Sequence, residues 1–271
     1  MQHLEKLIGD NKLLYAWFSA MYTRVDILLV SEITGHNLKE IADRIKFEVE
    51  KVEAIANRFD EHSEISRINN SAYLKPCLVT DEMYKIIDEC LLYTSKTLGF
   101  FDITVNSLNK FTGGTSNIVL DNSTQSIRFL HADVKLDLSG YIKGYVLGTI
   151  RNILFEENIL NALINMGNSS ILAVGNHPHG KGWKVGIPDA ESVNEFILFN
   201  QCLTTSGNKE QTKWPIQKPQ TGETIVDQST LSVITYDPAL GEVLSKALFI
   251  ATSEEKEMIL KNFDEKIKWI V

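Results

Sequence analysis

Leu136-Asp137-Leu138-Ser139-Gly140-Tyr141-Ile142-Lys143-Gly144-Tyr145 is the stretch on which the reading of this chain turns. Apolar residues flank Asp137 as they would on a strand, the small pair Ser139-Gly140 opens a helix, and Lys143 falls in that helix's first turn. Free N–H groups at a helix start, a glycine that permits close approach and a nearby ammonium suit the oxygens of a phosphate. The Asp137 carboxylate could accept hydrogen bonds from a ribose or a base. The same residues also describe a capped strand-to-helix turn with a solvated lysine.

Working outward, the upstream residues form two periodic blocks. Val25, Ile27 and Leu29 alternate with Asp26 and Leu28 in a β-rich stretch from about Tyr15 to Val30, which predicts one long strand with a buried face. Leu38, Ile41, Ile45, Val49, Val52, Ala56 and Phe59 then recur at steps of three and four, with Asn37 and Glu40 spaced as a capping box. A second helix is expected from about Asp81 to Thr97, capped by Thr80, with Asp81 and Glu82 at the positive end of its dipole.

The middle of the chain predicts strands at 118–120, 127–130 and 134–138, then a helix over 139–157. Further strands are expected at 162–166, 170–174, 183–187, 195–200 and 231–236, with a loop at 175–182. Leu240, Val243, Leu244, Ala247 and Leu248 give a helical stripe, and 266–271 an edge strand. Strands interrupted by helices at irregular intervals argue for α+β, with mixed or antiparallel sheets packed against helices. No linker, repeat or low-complexity tract divides the chain, so residues 1–271 are expected to form a single domain.

Composition bounds the function. The 271 residues are 44% apolar and 23% charged, enough for an ordinary core. The 27 Lys and Arg against 35 Asp and Glu give a net charge of −8, which offers no footprint for a nucleic acid. Apolar runs fall far short of the ~20 residues of a transmembrane helix. Residues 1–10 lack an apolar leader core, so the expected compartment is the cytoplasm, with export or lipid anchoring only if a leader has been removed. Cys77, Cys90 and Cys202 follow no Cys-x-x-Cys spacing and are expected as buried thiols. His177 and His179 flank Pro178 in a turn without a third ligand nearby, which fits a hairpin tip better than a metal site.

Taken together, six motifs in one order resemble the FAD:protein FMN transferase family, the ApbE-type flavin transferases. They are Ser63-Glu64-Ile65-Ser66-Arg67-Ile68-Asn69, Phe101-Asp102-Ile103-Thr104-Val105, Leu136 to Tyr145, Asn161 to Gly167, Trp183 to Ile187, and Thr205-Ser206-Gly207. The resemblance runs from about Trp17 to Ile250. It implies Mg²⁺-assisted transfer of FMN from FAD to a Thr or Ser hydroxyl of an acceptor protein, with AMP released. Carried over by position, Met21, Phe59, Phe100, Phe101, Asp102, Asp137 and Lys143 would contact the flavin nucleotide, and Gly140 would turn a carbonyl toward the metal.

This chain also departs from the pattern the resemblance supplies. The family's His-x-x-Asp-Pro-x-Thr-Gly reads Pro215-Ile216-Gln217-Lys218-Pro219-Gln220-Thr221-Gly222 here, so Pro215 stands for the His and Lys218 for the Asp. In the late helix the implied metal ligands Asp and Thr become Glu242 and Lys246, and Gly-Gly-Asp becomes Gly167-Asn168-Ser169. A charged lysine has no lone pair to give Mg²⁺. Glu242 and Lys246 suit an exposed helical ion pair. Alternatively, Lys246 places its ammonium where the metal would sit. The functional alternatives are accordingly an active transferase and a flavin or nucleotide binder that no longer transfers.

Overall fold

The structure, a computed structural model, describes residues 1–32, 37–107, 114–188, 193–207, 216–225, 229–264 and 267–270. Along the chain it contains β1 (Gln2–Ile8), β2 (Asn11–Ala20), β3 (Thr23–Glu32), α1 (Leu38–Ala56), α2 (Glu64–Ser71), β4 (Cys77–Leu78) and α3 (Asp81–Lys96). A short 3-10 turn precedes β5 (Ile118–Asp121) and β6 (Ser126–Phe129), followed by α4 (Ile142–Glu156), β7 (Asn161–Met166), β8 (Ser170–Val174), β9 (Trp183–Pro188) and β10 (Val193–Leu198). The chain continues through β11 (Gln201–Gly207), β12 (Thr230–Thr235), α5 (Pro238–Ile250), α6 (Ser253–Leu260) and β13 (Lys268–Ile270). The fold is α+β with antiparallel ladders. Two compact units emerge, each built from segments far apart in sequence.

The first unit comprises Met1–Lys51, Lys143–Thr205 and Ile234–Gly241. Its antiparallel sheet follows the order β1-β2-β3-β7-β8-β11. Alternate residues of β2 and β3 (Leu14, Ala16, Val25, Ile27, Leu29) are buried, as the period of two demands. The α1 stripe Leu38, Ile41, Ala42, Ile45 and Val49 is buried as well. Each buried Leu, Ile or Val among them contributes about 1.5–3 kcal/mol by leaving water. A second cluster unites Val30, Ile171, Ala173, Trp183, Val185, Leu198, Leu203 and Ile234. The hairpin β9–β10 supplies Trp183 and Leu198 to it, and the Trp183 indole N–H donates to the Val174 carbonyl at 2.8 Å.

The long strand expected over 15–30 is two strands. Ala20 pairs with Thr23 across a two-residue turn in which Met21 and Tyr22 both take left-handed backbone, with φ of 51° and 58°. Tight hairpins of this hand usually carry Asn-Gly or Gly-Gly. Because the apolar alternation runs through both strands, nothing in the pattern marked the reversal.

The second unit comprises Val52–Ile142, Ser206–Val233 and Glu242–Val271. Helices α2 and α3 bury Ile65, Ile68, Met83, Ile86, Ile87 and Cys90, and a small sheet runs β4-β6-β5. Thr80 caps α3 as expected, accepting from the Met83 N–H at 3.2 Å. Helix α2 was not anticipated, since eight residues with two buried isoleucines leave almost no period to detect. Ser63 caps it by accepting from Ser66.

A strand expected at 134–138 is instead an extended segment outside any ladder. The Asp137 N–H donates to the Ile103 carbonyl at 2.7 Å. Asn69 does for Leu136 what a neighbouring strand would do, accepting its N–H at 2.7 Å and donating to its carbonyl at 3.0 Å. Tyr141 and Ile142 then both donate to the Leu138 carbonyl, closing the turn into α4.

Candidate functional site

In the second unit, this corner brings several of the expected residues together. Asp137 is buried, with its side chain 7% exposed, and is held from three sides. Arg58 Nε lies 3.0 Å from one carboxylate oxygen, Asn106 donates to that same oxygen, and the Ser139 N–H donates to the other at 2.9 Å. Arg58 also lies over the Phe59 ring, 4.3 Å from its centroid. Phe59 itself is 52% exposed. Arg58 thus links a buried carboxylate to an exposed ring through an ion pair and a cation–π contact.

Phe100 and Phe101 are core residues, 7% and 5% exposed. Their role is to wall the corner. Phe101 packs with Tyr141 at 6.4 Å between ring centroids, and Lys218 Nζ lies 5.9 Å from the centre of Phe100. Asp102 accepts from both the N–H and the hydroxyl of Thr104 at 2.6 Å. Burial raises its carboxyl above the ordinary carboxylate value, and the Thr104 bonds offset part of the rise. Asp102 thus shapes the 101–104 turn. Burial likewise drives the Tyr141 hydroxyl far above its usual range, and it donates to Glu89.

The late helix contributes Glu242 and Lys246. Lys246 Nζ stands 2.7 Å from Glu242 Oε2 and 3.4 Å from the Glu242 carbonyl. The expected ion pair exists, but it is not an exposed one: the Glu242 side chain is 2% exposed and that of Lys246 26%. The stem of Lys246 lies against Gly140, where an added Cβ would come within 3.2 Å of Cδ and Cε. Ser206, from the Thr-Ser-Gly segment, is hydrogen-bonded to Ser245 at 2.8 Å.

These residues do not fit Mg²⁺. The ion requires an octahedron of oxygens at about 2.1 Å, whereas here an ammonium engages the Glu242 carboxylate and its stem fills the space beside Gly140. Among the described residues no three acidic, His or Cys side chains gather as a metal site. The implied roles of Gly140 and Glu242 as metal ligands therefore find no support in the geometry.

In the first unit, Met21 occupies the strained hairpin tip and Lys143 the first turn of α4. Non-glycine residues held in left-handed backbone concentrate at functional positions. Lys143 Nζ donates to the Ser169 hydroxyl in the β7–β8 turn. That turn is shaped by left-handed Gly167 and Asn168, the latter tied to Asn165 in both directions. Pro215 lies outside the described residues. His177 packs edge-on to Trp183 at 5.2 Å in the loop between β8 and β9.

Sequence reading overlooked Arg58, Asn69 and Asn106. Asn69 sat at the end of a quoted motif and could have been singled out. Arg58 and Asn106 carried no local signal, because their partner Asp137 lies at least thirty residues away in the chain.

The ApbE family model matches residues 21–271. The chain belongs to the ApbE family. A FAD:protein FMN transferase of Chlamydia muridarum is 25% identical over 86% of this chain and 82% of the relative. One of Klebsiella pneumoniae is 23% identical over 89% and 84%. Among solved structures, the flavin transferase ApbE of Vibrio cholerae superposes with a TM-score of 0.83 at 17% identity, covering 95% of this chain and 93% of that one. The apo flavinyl transferase ApbE of Pseudomonas stutzeri gives 0.85 at 15% identity, covering 98% and 93%. The ApbE fold therefore extends over nearly the whole chain, and the motif residues Asn69, Asp137 and Lys143 have structural duties within it.

Proposed function

We propose that this ApbE-family chain is a FAD:protein FMN transferase, moving FMN from FAD to a Thr or Ser hydroxyl of an acceptor protein. The observation that carries the reading is the Asp137–Gly140 corner, a buried carboxylate fixed by Arg58 and Asn106 beside a glycine and a lysine, in a chain whose curated relatives bear that name.

In this reaction the acceptor oxygen attacks the flavin-side phosphorus, the bond to the bridging oxygen breaks, and AMP departs with that bridging oxygen. The hydroxyl proton leaves as the new P–O bond forms and passes to solvent, so the products are the FMN phosphodiester, AMP and one proton. The nucleotide must be held with its diphosphate extended and its developing charge met by fixed cations. Asp137 fixes the turn at Ser139 and Gly140 so that the diphosphate can approach backbone. Phe59, braced by Arg58, offers a face for a ring.

The test is intact-mass analysis after incubation with FAD and a peptide acceptor containing Thr. Transfer adds one FMN to the peptide and releases AMP. FAD that binds and is recovered unchanged in every acceptor reaction would instead establish a binder, and an absence of FAD binding would overturn both.

A further inference from the structure

The surroundings of Lys246 carry an inference that rests on the transferase reading and deepens it. A lysine set four residues after a glutamate on an exposed helix face would be an ordinary surface pair. Here Glu242 is sealed inside, and its carboxylate oxygen and main-chain carbonyl together take two of the three ammonium donors. The stem lies against Gly140, and the Phe101 ring borders the same space, 3.8 Å from where a Cβ on the glycine would sit. A flexible four-carbon chain has thereby been converted into a fixed cation whose head is still partly open to solvent. The residue that shapes the fit is Gly140, since any side chain there would push the stem away.

The local charges point the same way. Around Phe100, Phe101 and Gly140 stand Lys218 and Lys246 against Glu242 and Asp102, so the formal charges cancel. Asp137 is already matched by Arg58. A site that recruited a divalent cation would need an excess of carboxylate, and this one has none.

We propose that Lys246, held by Glu242 against Gly140, meets the diphosphate of a flavin dinucleotide in place of a divalent cation, so that this chain grips its nucleotide without metal. The ammonium donates to a phosphate oxygen and offsets the charge that a metal would otherwise neutralise. Glu242 acts as a positioning residue, orienting the lysine while remaining out of reach of the ligand.

The experiment is titration of FAD, ADP and riboflavin by calorimetry, each in excess EDTA and in excess MgCl₂, on the wild type, Lys246→Met, and the pair Lys246→Met with Glu242→Gln. The pair removes both charges, so a buried carboxylate left alone cannot confuse the result. Expected are FAD and ADP dissociation constants that agree within twofold between EDTA and Mg²⁺ for the wild type. A loss of at least tenfold for both ligands is expected in the double variant, with riboflavin binding, where measurable, unchanged. FAD binding that weakens tenfold or more in EDTA overturns metal independence while leaving the transferase reading intact. Equal FAD affinity in wild type and double variant removes Lys246 from the diphosphate. Failure of the wild type to bind FAD in either buffer removes the transferase reading and this inference together.

Discussion

Replacing Asp137 with Ala tests the corner at its root. The substitution removes a carboxylate 7% exposed, its 3.0 Å ion pair with Arg58, and the acceptor for the Ser139 N–H. Taking away one member of a buried pair costs about 3–5 kcal/mol, because the partner charge is stranded. Arg58 is 26% exposed and can partly rehydrate, which places the expected loss near the lower bound, about 3 kcal/mol. Asp137→Asn retains an acceptor for Ser139 and loses only the charge, so about half that cost is expected. Urea unfolding measures both: with a slope near 3 kcal/mol/M, the Ala variant's midpoint falls by about 1 M. A cycle with Arg58→Met isolates the pair, whose coupling is expected at about 1.5–2 kcal/mol. An Asp137→Ala variant within about 1 kcal/mol of wild type, or a coupling below about 0.5 kcal/mol, would refute the claim that this pair holds the corner.

Other substitutions probe separate parts of the fold. Gly175 has φ of +59°, and an added Cβ would sit 1.9 Å from the Leu160 carbonyl oxygen, so Gly175→Ala should cost at least about 2 kcal/mol in urea. Gly180, in the same loop, meets nothing within 4 Å, and Gly180→Ala should stay within about 0.5 kcal/mol of wild type; equal effects would undo the argument. Thr252→Ala removes the hydroxyl that accepts from the Glu255 N–H, one arm of the capping box on α6, and should lower stability by about 1 kcal/mol, read as a drop in melting temperature. Asp102 provides a pH signature. Its folded carboxyl titrates above the ordinary 3.8, so the folded state binds that proton more tightly than the unfolded chain. Relative to Asp102→Asn, the wild type should therefore gain stability as pH falls through the window from the raised value to 3.8, by at most about 1.4 kcal/mol per pH unit. A difference that is flat with pH, or of opposite sign, would show that Thr104 rather than burial dominates.

The helices α1 and α3 were legible because their apolar stripes are long and their caps, Asn37 and Thr80, obey local chemistry. Most sheet strands were legible for the same reason. The reversal at Met21-Tyr22 was not, since both residues adopt a backbone that their side chains disfavour and only the tertiary fold enforces. Strand β11 was hidden within a motif read for its small residues. Asp137, Lys143 and Lys246 could be picked out individually, yet the burial of Glu242 could not. A surface pair and an interior pair have the same sequence spacing, and the difference lies in what packs around α5. Arg58 shows the general limit: it acts through a partner nearly eighty residues away.

The three thiols have a consequence for where such a protein can work. Cys77, Cys90 and Cys202 are all sheltered and unlinked, and burial pushes the Cys90 thiol well above its normal titration range, away from the reactive thiolate. Folding therefore takes no covalent help from an oxidant and offers little for one to attack. The fold of this polypeptide does not depend on whether its surroundings are reducing or oxidising.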